Sequence, residues 1–266
     1  MNILDKIIVR KQVEIELNKK KFPTAVLEKS AIFSRNTFSL KKSLSQKSGV
    51  IAEIKFQSPS KGVLRAIPWQ YSTAIAEVQE IAQGYANAGA AAISVLTDQD
   101  YFAGKNEYLQ ATRETVNIPL LRKDFIIDEY QILEAKALGA DLILLIAACL
   151  NPLQIKQLAQ FAHTLGLEVL LEVHDLAELE TSLNEYIDLL GVNNRNLKTF
   201  QVDIQTSLDL AEKIPHQFIK ISESGLSNPL NINTLQQAGY RGFLIGETFM
   251  KTENPGLALR ELWTGI

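Results

Sequence analysis

Short β-rich runs recur eight times along this chain, each followed by a stretch with helical spacing. The runs are Val50–Phe56, Ala91–Leu96, Pro119–Asp124, Asp141–Ile146, Leu167–Val173, Ile187–Asn193, Phe218–Ser222 and Gly242–Gly246. Glycine stands just before the next strand in Ala88–Gly89–Ala90, Leu138–Gly139–Ala140, Leu165–Gly166–Leu167 and Ala238–Gly239–Tyr240. A left-handed helix stop is expected there. Asn151–Pro152 gives the opposite signal, an N-cap followed by proline at the first helical position.

Strands alternating with helices imply a parallel sheet with crossover helices. Eight such units can close into a barrel or spread into an open, doubly wound sheet. Two observations favour the barrel. No Gly-x-Gly-x-x-Gly loop follows the first strand, and polar residues stand at the ends of nearly every strand rather than at one switch point. The length of 266 residues suits one barrel, which typically needs about 250, although two domains of about 130 residues compete with it. The expected class is therefore α/β: a single (β/α)8 TIM barrel over 49–266, preceded by an N-terminal helical extension over 1–48. The extension reads as one or two amphipathic helices, able either to plug the bottom of the barrel or to cover its mouth.

Strand phase then sorts the charges. Residues two apart on a strand share a face. Ile51, Glu53 and Lys55 thus point one way, and Ala52 and Ile54 the other. The apolar pair suits packing against helices, so Glu53 and Lys55 point into the barrel. By the same rule Lys123 shares the inner face with Leu121, Glu172 with Leu170, and Glu223 with Ile221 and Ile219, while Asn193 ends the sixth strand. Each buried charge costs several kcal/mol in lost hydration. Polar groups converging from five strands on one rim point to a reaction site rather than to incidental ion pairs. Arg122 and Asp124 fall on the opposite face from Lys123, where an ion pair is the better reading.

Two glycine-bearing turns, Ser222-Glu-Ser-Gly225 and Ile245-Gly-Glu-Thr248, follow the seventh and eighth strands. Loops at those places present backbone N–H groups to a phosphate. Ser58-Pro-Ser-Lys-Gly62, after the first strand, adds a hydroxyl near Lys55.

Other function classes are disfavoured. A formal charge of −3 offers no attraction for nucleic acid. Lys19, Lys20 and Lys21 read as a solvated helix face. The single cysteine, Cys149, lies in the apolar run Leu142–Leu150 and reads as a buried, inert thiol. His163, His174 and His216 have no metal-ligand spacing. No apolar run suits a signal peptide or a membrane span, so a cytoplasmic protein is expected.

Taken together, these segments resemble indole-3-glycerol phosphate synthase of tryptophan biosynthesis, over nearly the whole chain. The specific parts are Ala52-Glu-Ile-Lys55 with Ser58-Pro-Ser-Lys-Gly62, Ser94-Val-Leu-Thr97 with Tyr101-Phe102, and Leu121-Arg-Lys-Asp-Phe125. Leu171-Glu-Val-His174, Gly191-Val-Asn-Asn-Arg195, Ile221-Ser-Glu-Ser-Gly225 and Leu244-Ile-Gly-Glu247 complete the set in family order. The resemblance implies a carboxy-lyase. It closes the ring of 1-(2-carboxyphenylamino)-1-deoxyribulose 5-phosphate with loss of carbon dioxide and water, using neither a metal nor an organic cofactor.

The resemblance also implies residue roles. Lys123 resembles the general acid at the ketone oxygen, and Glu172 the acid/base group of the dehydration. Lys55, held by Glu53, would pair with the substrate carboxylate or a departing hydroxyl. Asn193 and Glu223 would orient the substrate. Ser58, Ser224, Gly225, Gly246 and the amide of Glu247 would hold the phosphate. Phe102 and Phe125 would flank the aromatic ring, with Arg195 close by. Lys123 is expected to lie in a cation-rich pocket that lowers its pKa. Lys105 stands where the family more often has a small polar residue, which leaves open the contact made by the loop after the second strand. The partner expected is a phosphorylated small molecule, the chain acting as a monomer or weak homo-oligomer. Rival readings are a phosphoribosylanthranilate isomerase, a Schiff-base aldolase using Lys123, or a non-catalytic barrel scaffold.

Overall fold

The computed structural model describes residues 3–265. The chain opens with helices α1 (Ile3–Lys21), α2 (Thr24–Leu27) and α3 (Leu40–Gln46), before strand β1 (Gly49–Ile54). A small hairpin, β2 (Gln57–Ser58) with β3 (Gly62–Val63), leads to α4 (Tyr71–Asn87). Then come β4 (Ala92–Leu96), the short α5 (Gln99–Phe102), α6 (Asn106–Thr115), β5 (Leu120–Lys123), α7 (Glu129–Leu138) and β6 (Leu142–Ile146). The pattern continues with α8 (Pro152–Thr164), β7 (Glu168–Val173), α9 (Leu176–Ser182), β8 (Leu189–Asn193) and α10 (Gln205–Ala211). It ends with β9 (Ile219–Glu223), α11 (Pro229–Gln237), β10 (Tyr240–Ile245), α12 (Glu247–Met250) and α13 (Pro255–Thr264).

Among the described residues, β1 and β4 to β10 form a closed, wholly parallel barrel, β10 returning to pair with β1. All eight expected strands are present. The first is shorter at its end than the β-rich run suggested, because Phe56 leaves the barrel ladder. Its carbonyl accepts instead from Leu64 N at 2.8 Å and Arg65 N at 3.2 Å, which sets up the hairpin. The period of two splits the apolar residues into two layers. Ile51, Leu121, Leu142, Leu144, Leu170, Leu189 and Ile221 fill the interior. Val50, Ala52, Ile54, Val95, Ile143, Val169, Leu171 and Val192 face the helices. Both layers are apolar and buried, and the charged inward residues Glu53, Lys123, Glu172 and Glu223 collect at the C-terminal rim. Asn151 caps α8 as expected, its side chain accepting from Gln154 N at 2.9 Å, with Pro152 in the first turn.

The extension does both things open to it, with three helices rather than one or two. At the mouth, Ile3, Leu4 and Ile7 of α1 line the barrel's cavity. At the floor, Leu40 and Leu44 of α3 join the inner core with no exposure. Gly242 is bare where Leu44 enters: a Cβ there would stand 3.0 Å from Leu44 Cδ1. Between the two ends the chain runs down the barrel wall and is pinned along α7 and β6. Ser30 Oγ donates to Ala137 O at 2.9 Å, and Lys136 Nζ to Arg35 O at 3.0 Å. Buried Asp141 accepts from Arg35 Nη2 at 2.7 Å, Phe38 N at 2.8 Å and Arg113 Nη1 at 2.9 Å. The lysine run at the end of α1 is only partly a free face. Lys20 and Lys21 are exposed, but Lys19 Nζ reaches Asp128 Oδ2, at the cap of α7, at 2.8 Å. No helix of the described residues is long and apolar enough to cross a membrane.

Candidate active site

The barrel's C-terminal mouth holds a cavity of about 540 Å³, within the range of small-molecule sites. Lys123, at the end of β5, is its centre. Its Nζ lies 3.0 Å from Glu172 Oε2 on β7 and 2.7 Å from Glu223 Oε2 on β9. Asn193, at the end of β8, donates to Glu172 Oε1 at 3.1 Å. Across the mouth, Lys55 Nζ pairs with Glu53 Oε1 of β1. Gly246 follows β10 and lets that strand end close on Glu53, since a Cβ there would fall 2.6 Å from Glu53 Oε1. Glu53, Lys55, Lys123, Glu172, Asn193 and Glu223 therefore all line one cavity, as strand phase indicated.

The electrostatics around Lys123 correct one expectation. The groups that act on Lys123 are carboxylates, not cations. Burial alone would lower the Lys123 pKa, but Glu172, Glu223 and Glu53 outweigh it and raise it above the ordinary lysine range. For Glu172, burial is outweighed by Lys123 and His174, which hold its carboxyl well below the ordinary range. Glu223 goes the other way: burial and its neighbour Glu172 push it up against the opposing pull of Lys123. Its Oε1 is buried with no hydrogen-bond partner and packs over Gly191, where a Cβ would stand 2.4 Å from it.

His174 was not assigned a role from the sequence. Its Nδ1 lies 3.1 Å from Glu178 Oε2, and its Nε2 3.3 Å from Glu172 Oε1, a contact of charge rather than an aligned hydrogen bond. Burial would lower its pKa, but the Glu172 and Glu178 carboxylates push it up to about 10. The signal was there: Glu172 and His174 are two residues apart at the end of one strand, and so share a face.

The two ends of the cavity differ in character. At one, Phe102 after β4 and Phe125 after β5 face each other with centroids 6.0 Å apart and planes tilted by 41°. At the other, on the loops after β9 and β10, lie Ser224, Gly225, Gly246 and Glu247, while Ser58 lines the cavity from the hairpin after β1. Gly225 has φ +76°, and a Cβ there would meet Val202 Cγ1 at 2.5 Å. Arg195 sits at this glycine-bearing end rather than beside the aromatic pair. Its Nη2 is 3.8 Å from Glu247 Oε2 and its Nη1 donates to Phe200 O at 3.3 Å. Glu247 also gathers Lys251 Nζ at 2.6 Å and Lys61 Nζ at 3.9 Å. Lys61 and Lys251 both line the cavity, and neither was singled out from sequence, although Lys251 stands one helical turn from Glu247.

Lys105 stands just before α6 without a side-chain cap, its ammonium 5.7 Å from the Tyr108 ring centre, and is not among the cavity-lining residues. Cys149 is half-buried rather than fully buried, in the turn after β6. Burial pushes its thiol well above the usual range, consistent with an inert side chain. Arg122 and Asp124 form the expected pair on the far side of β5, at 3.5 Å.

The family model described as indole-3-glycerol phosphate synthase matches residues 4–262. A Bacteroides thetaiotaomicron protein named indole-3-glycerol phosphate synthase is 44% identical over 266 residues, covering 100% of this chain and 99% of its own length. A protein of the same name from Polaromonas sp. is 46% identical over 269 residues, with 98% of each chain covered. Among solved structures, 3-hexulose-6-phosphate synthase superposes with a TM-score of 0.63 at 15% identity, covering 82% of this chain and 99% of that one. At that identity the likeness concerns the fold alone.

Proposed function

The chain belongs to the indole-3-glycerol phosphate synthase family, and from that premise we propose how the side chains at the mouth divide its reaction. The enzyme is a carboxy-lyase of tryptophan biosynthesis acting on a phosphorylated small molecule, 1-(2-carboxyphenylamino)-1-deoxyribulose 5-phosphate. The carboxyl-bearing ring carbon attacks the ketone carbon, and a carbon–carbon bond forms. Lys123 gives the ketone oxygen its proton, so the oxygen becomes a hydroxyl instead of an unstabilised alkoxide. The ring then loses carbon dioxide, the electrons of the broken bond restoring its aromaticity. Finally the hydroxyl leaves as water with a proton from Lys55, while Glu172 removes a proton from the methylene carbon beside the nitrogen. Glu172 reaches this step unprotonated, held so by Lys123 and His174 against the cost of burial, and it gains strength as a base once Lys123 has given up its proton.

The observation that carries this reading is the single ammonium of Lys123 held between Glu172 and Glu223 at 3.0 and 2.7 Å, inside a cavity with an aromatic end and a glycine-bearing end. Phe102 and Phe125 suit the substrate's aromatic ring. Ser58, Ser224, Gly225, Gly246 and the Glu247 amide suit its phosphate, with Arg195, Lys61 and Lys251 supplying positive charge nearby. Binding the two ends far from the reacting carbons holds the ring carbon against the ketone. Asn193 and Glu223 orient the chain between them. The same geometry counts against an aldolase. A Schiff base needs a neutral amine, and two carboxylates keep Lys123 charged.

An extension over 1–48 and a catalytic barrel over 49–266 is the division we favour, supported by the break between α3 and β1. One chain supplies every group named above, which supports a monomer or weak homo-oligomer. A charged phosphate ester does not cross a bilayer unaided, which supports work in the cytoplasm. Purified protein is expected to convert the carboxyphenylamino ribulose phosphate into a product with indole fluorescence. No such product at saturating substrate would remove the assignment.

A further inference from the structure

Helix α1 carries a lysine where its buried stripe calls for an apolar residue. Ile7, Lys11 and Ile15 make up that stripe, and Lys11 is only 1% exposed. A buried ammonium is unfavourable unless it is paired. Lys11 Nζ lies 2.9 Å from Asp124 Oδ1, 3.0 Å from Asp98 Oδ2 and 3.0 Å from Glu14 Oε2. Burial opposes its charge, but Asp124 and Asp98 outweigh burial and keep it protonated.

Each of those aspartates holds one wall of the aromatic end. Asp98 caps α5: its Oδ1 accepts from Tyr101 N at 2.9 Å, and its carbonyl accepts from Gly104 N at 2.7 Å. Phe102 rides on that turn. Asp124 directly follows Lys123, and its Oδ1 accepts from Phe125 N at 2.8 Å. One ammonium on the extension therefore bridges the two loop starts whose rings stand 6.0 Å apart. The bridging helix is also the one whose first turns line the cavity.

We propose that Lys11 is a positioning residue for the ring closure: by drawing Asp98 and Asp124 onto one ammonium, it sets the spacing of Phe102 and Phe125, and so the slot that receives the substrate's aromatic end. The glycine-bearing loops after β9 and β10, on the other side of the barrel, do not depend on it. The proposal rests on the reading that these two rings flank the aromatic part of the substrate.

The test compares two fragments of the substrate as competitive inhibitors, 2-aminobenzoate for the aromatic end and inorganic phosphate for the other. In Lys11→Met, a side chain of similar length without the charge, 2-aminobenzoate inhibition weakens by at least about tenfold, the scale of a slightly misplaced contact. Phosphate inhibition moves by less than about twofold, and Lys11→Arg recovers most of the loss. Should Lys11→Met not fold, Asp98→Asn keeps the cap and removes one arm of the bridge, and the same one-sided loss is expected. Equal weakening of both inhibitors, or no weakening of either, in whichever variant folds, would overturn the proposal. Phe102→Ala tests the underlying reading separately: unchanged 2-aminobenzoate inhibition there would remove the aromatic slot itself, whatever the lysine variants do.

Discussion

Two buried charge clusters lie on either side of β5, and they are built to different rules. On the outer side, Arg122 engages all three guanidinium nitrogens: Nη1 on Gln131 O at 2.8 Å, Nη2 on Asn106 Oδ1 at 3.1 Å and on Glu134 Oε2, and Nε on Thr97 Oγ1 at 3.1 Å. Asp124, beside it, accepts from Thr97 and from Lys11, and against the cost of burial Lys11 and Arg122 hold its carboxyl down to about 2. On the inner side, Lys123 keeps 15% of its side chain exposed to the cavity, and Glu223 Oε1 has no partner at all. A closed network with every group satisfied locks the strand in place. One whose lysine stays open to a cavity can exchange a carboxylate partner for a ligand. Three consecutive residues, Arg122, Lys123 and Asp124, serve both clusters, because successive side chains on a strand point to opposite faces.

The sharpest way to break this contrast is to strip each cluster of its cation. Arg122→Met leaves Glu134 buried without its counter-charge and Asp124 with Lys11 alone, and is expected to cost about 3–5 kcal/mol of stability, read from the urea midpoint. A loss below about 1 kcal/mol would mean that the outer cluster is not what secures β5. Lys123→Ala should do the reverse, lowering kcat by at least about a hundredfold, the scale of general acid catalysis, while the protein still unfolds in one cooperative transition. Near-normal turnover in that variant would end the assignment of Lys123 as proton donor.

A subtler effect lies in pH. The His174 pKa is pushed up to about 10 in the folded protein by Glu172 and Glu178 against the cost of burial, from an ordinary value of about 6.5. The folded state thus binds the proton more tightly, and the stabilisation is complete below about pH 6.5 and fades as pH rises towards 10. The melting-temperature gap between the native protein and His174→Gln should be widest in mild acid and narrow by about pH 10. A gap that stays constant over that range would show His174 to be neutral when folded.

Much of this was legible in the sequence. The eight strands, their order, and the inward phase of Glu53, Lys55, Lys123, Glu172, Asn193 and Glu223 follow from a period of two and from turn chemistry, both of them local. Lys11 left a local trace as well, a charge on an apolar helical stripe, but its meaning lay in Asp98 and Asp124, residues of other elements. Arg195 was assigned to the aromatic end from its place in a motif. A long side chain can swing, and here it found Glu247 instead.

What the residues determined by themselves is which side of each strand faces the barrel, since that depends only on backbone geometry repeated every two residues. Only the closed barrel decided the state of those groups. Lys123 keeps its proton because β7 and β9 bring two carboxylates within about 3 Å of it, and a charge–charge energy depends on that distance and on the exclusion of water. The placement of α1 at the mouth and α3 at the floor was likewise decided by packing. An amphipathic helix carries a face to bury but no address, and the barrel offered two.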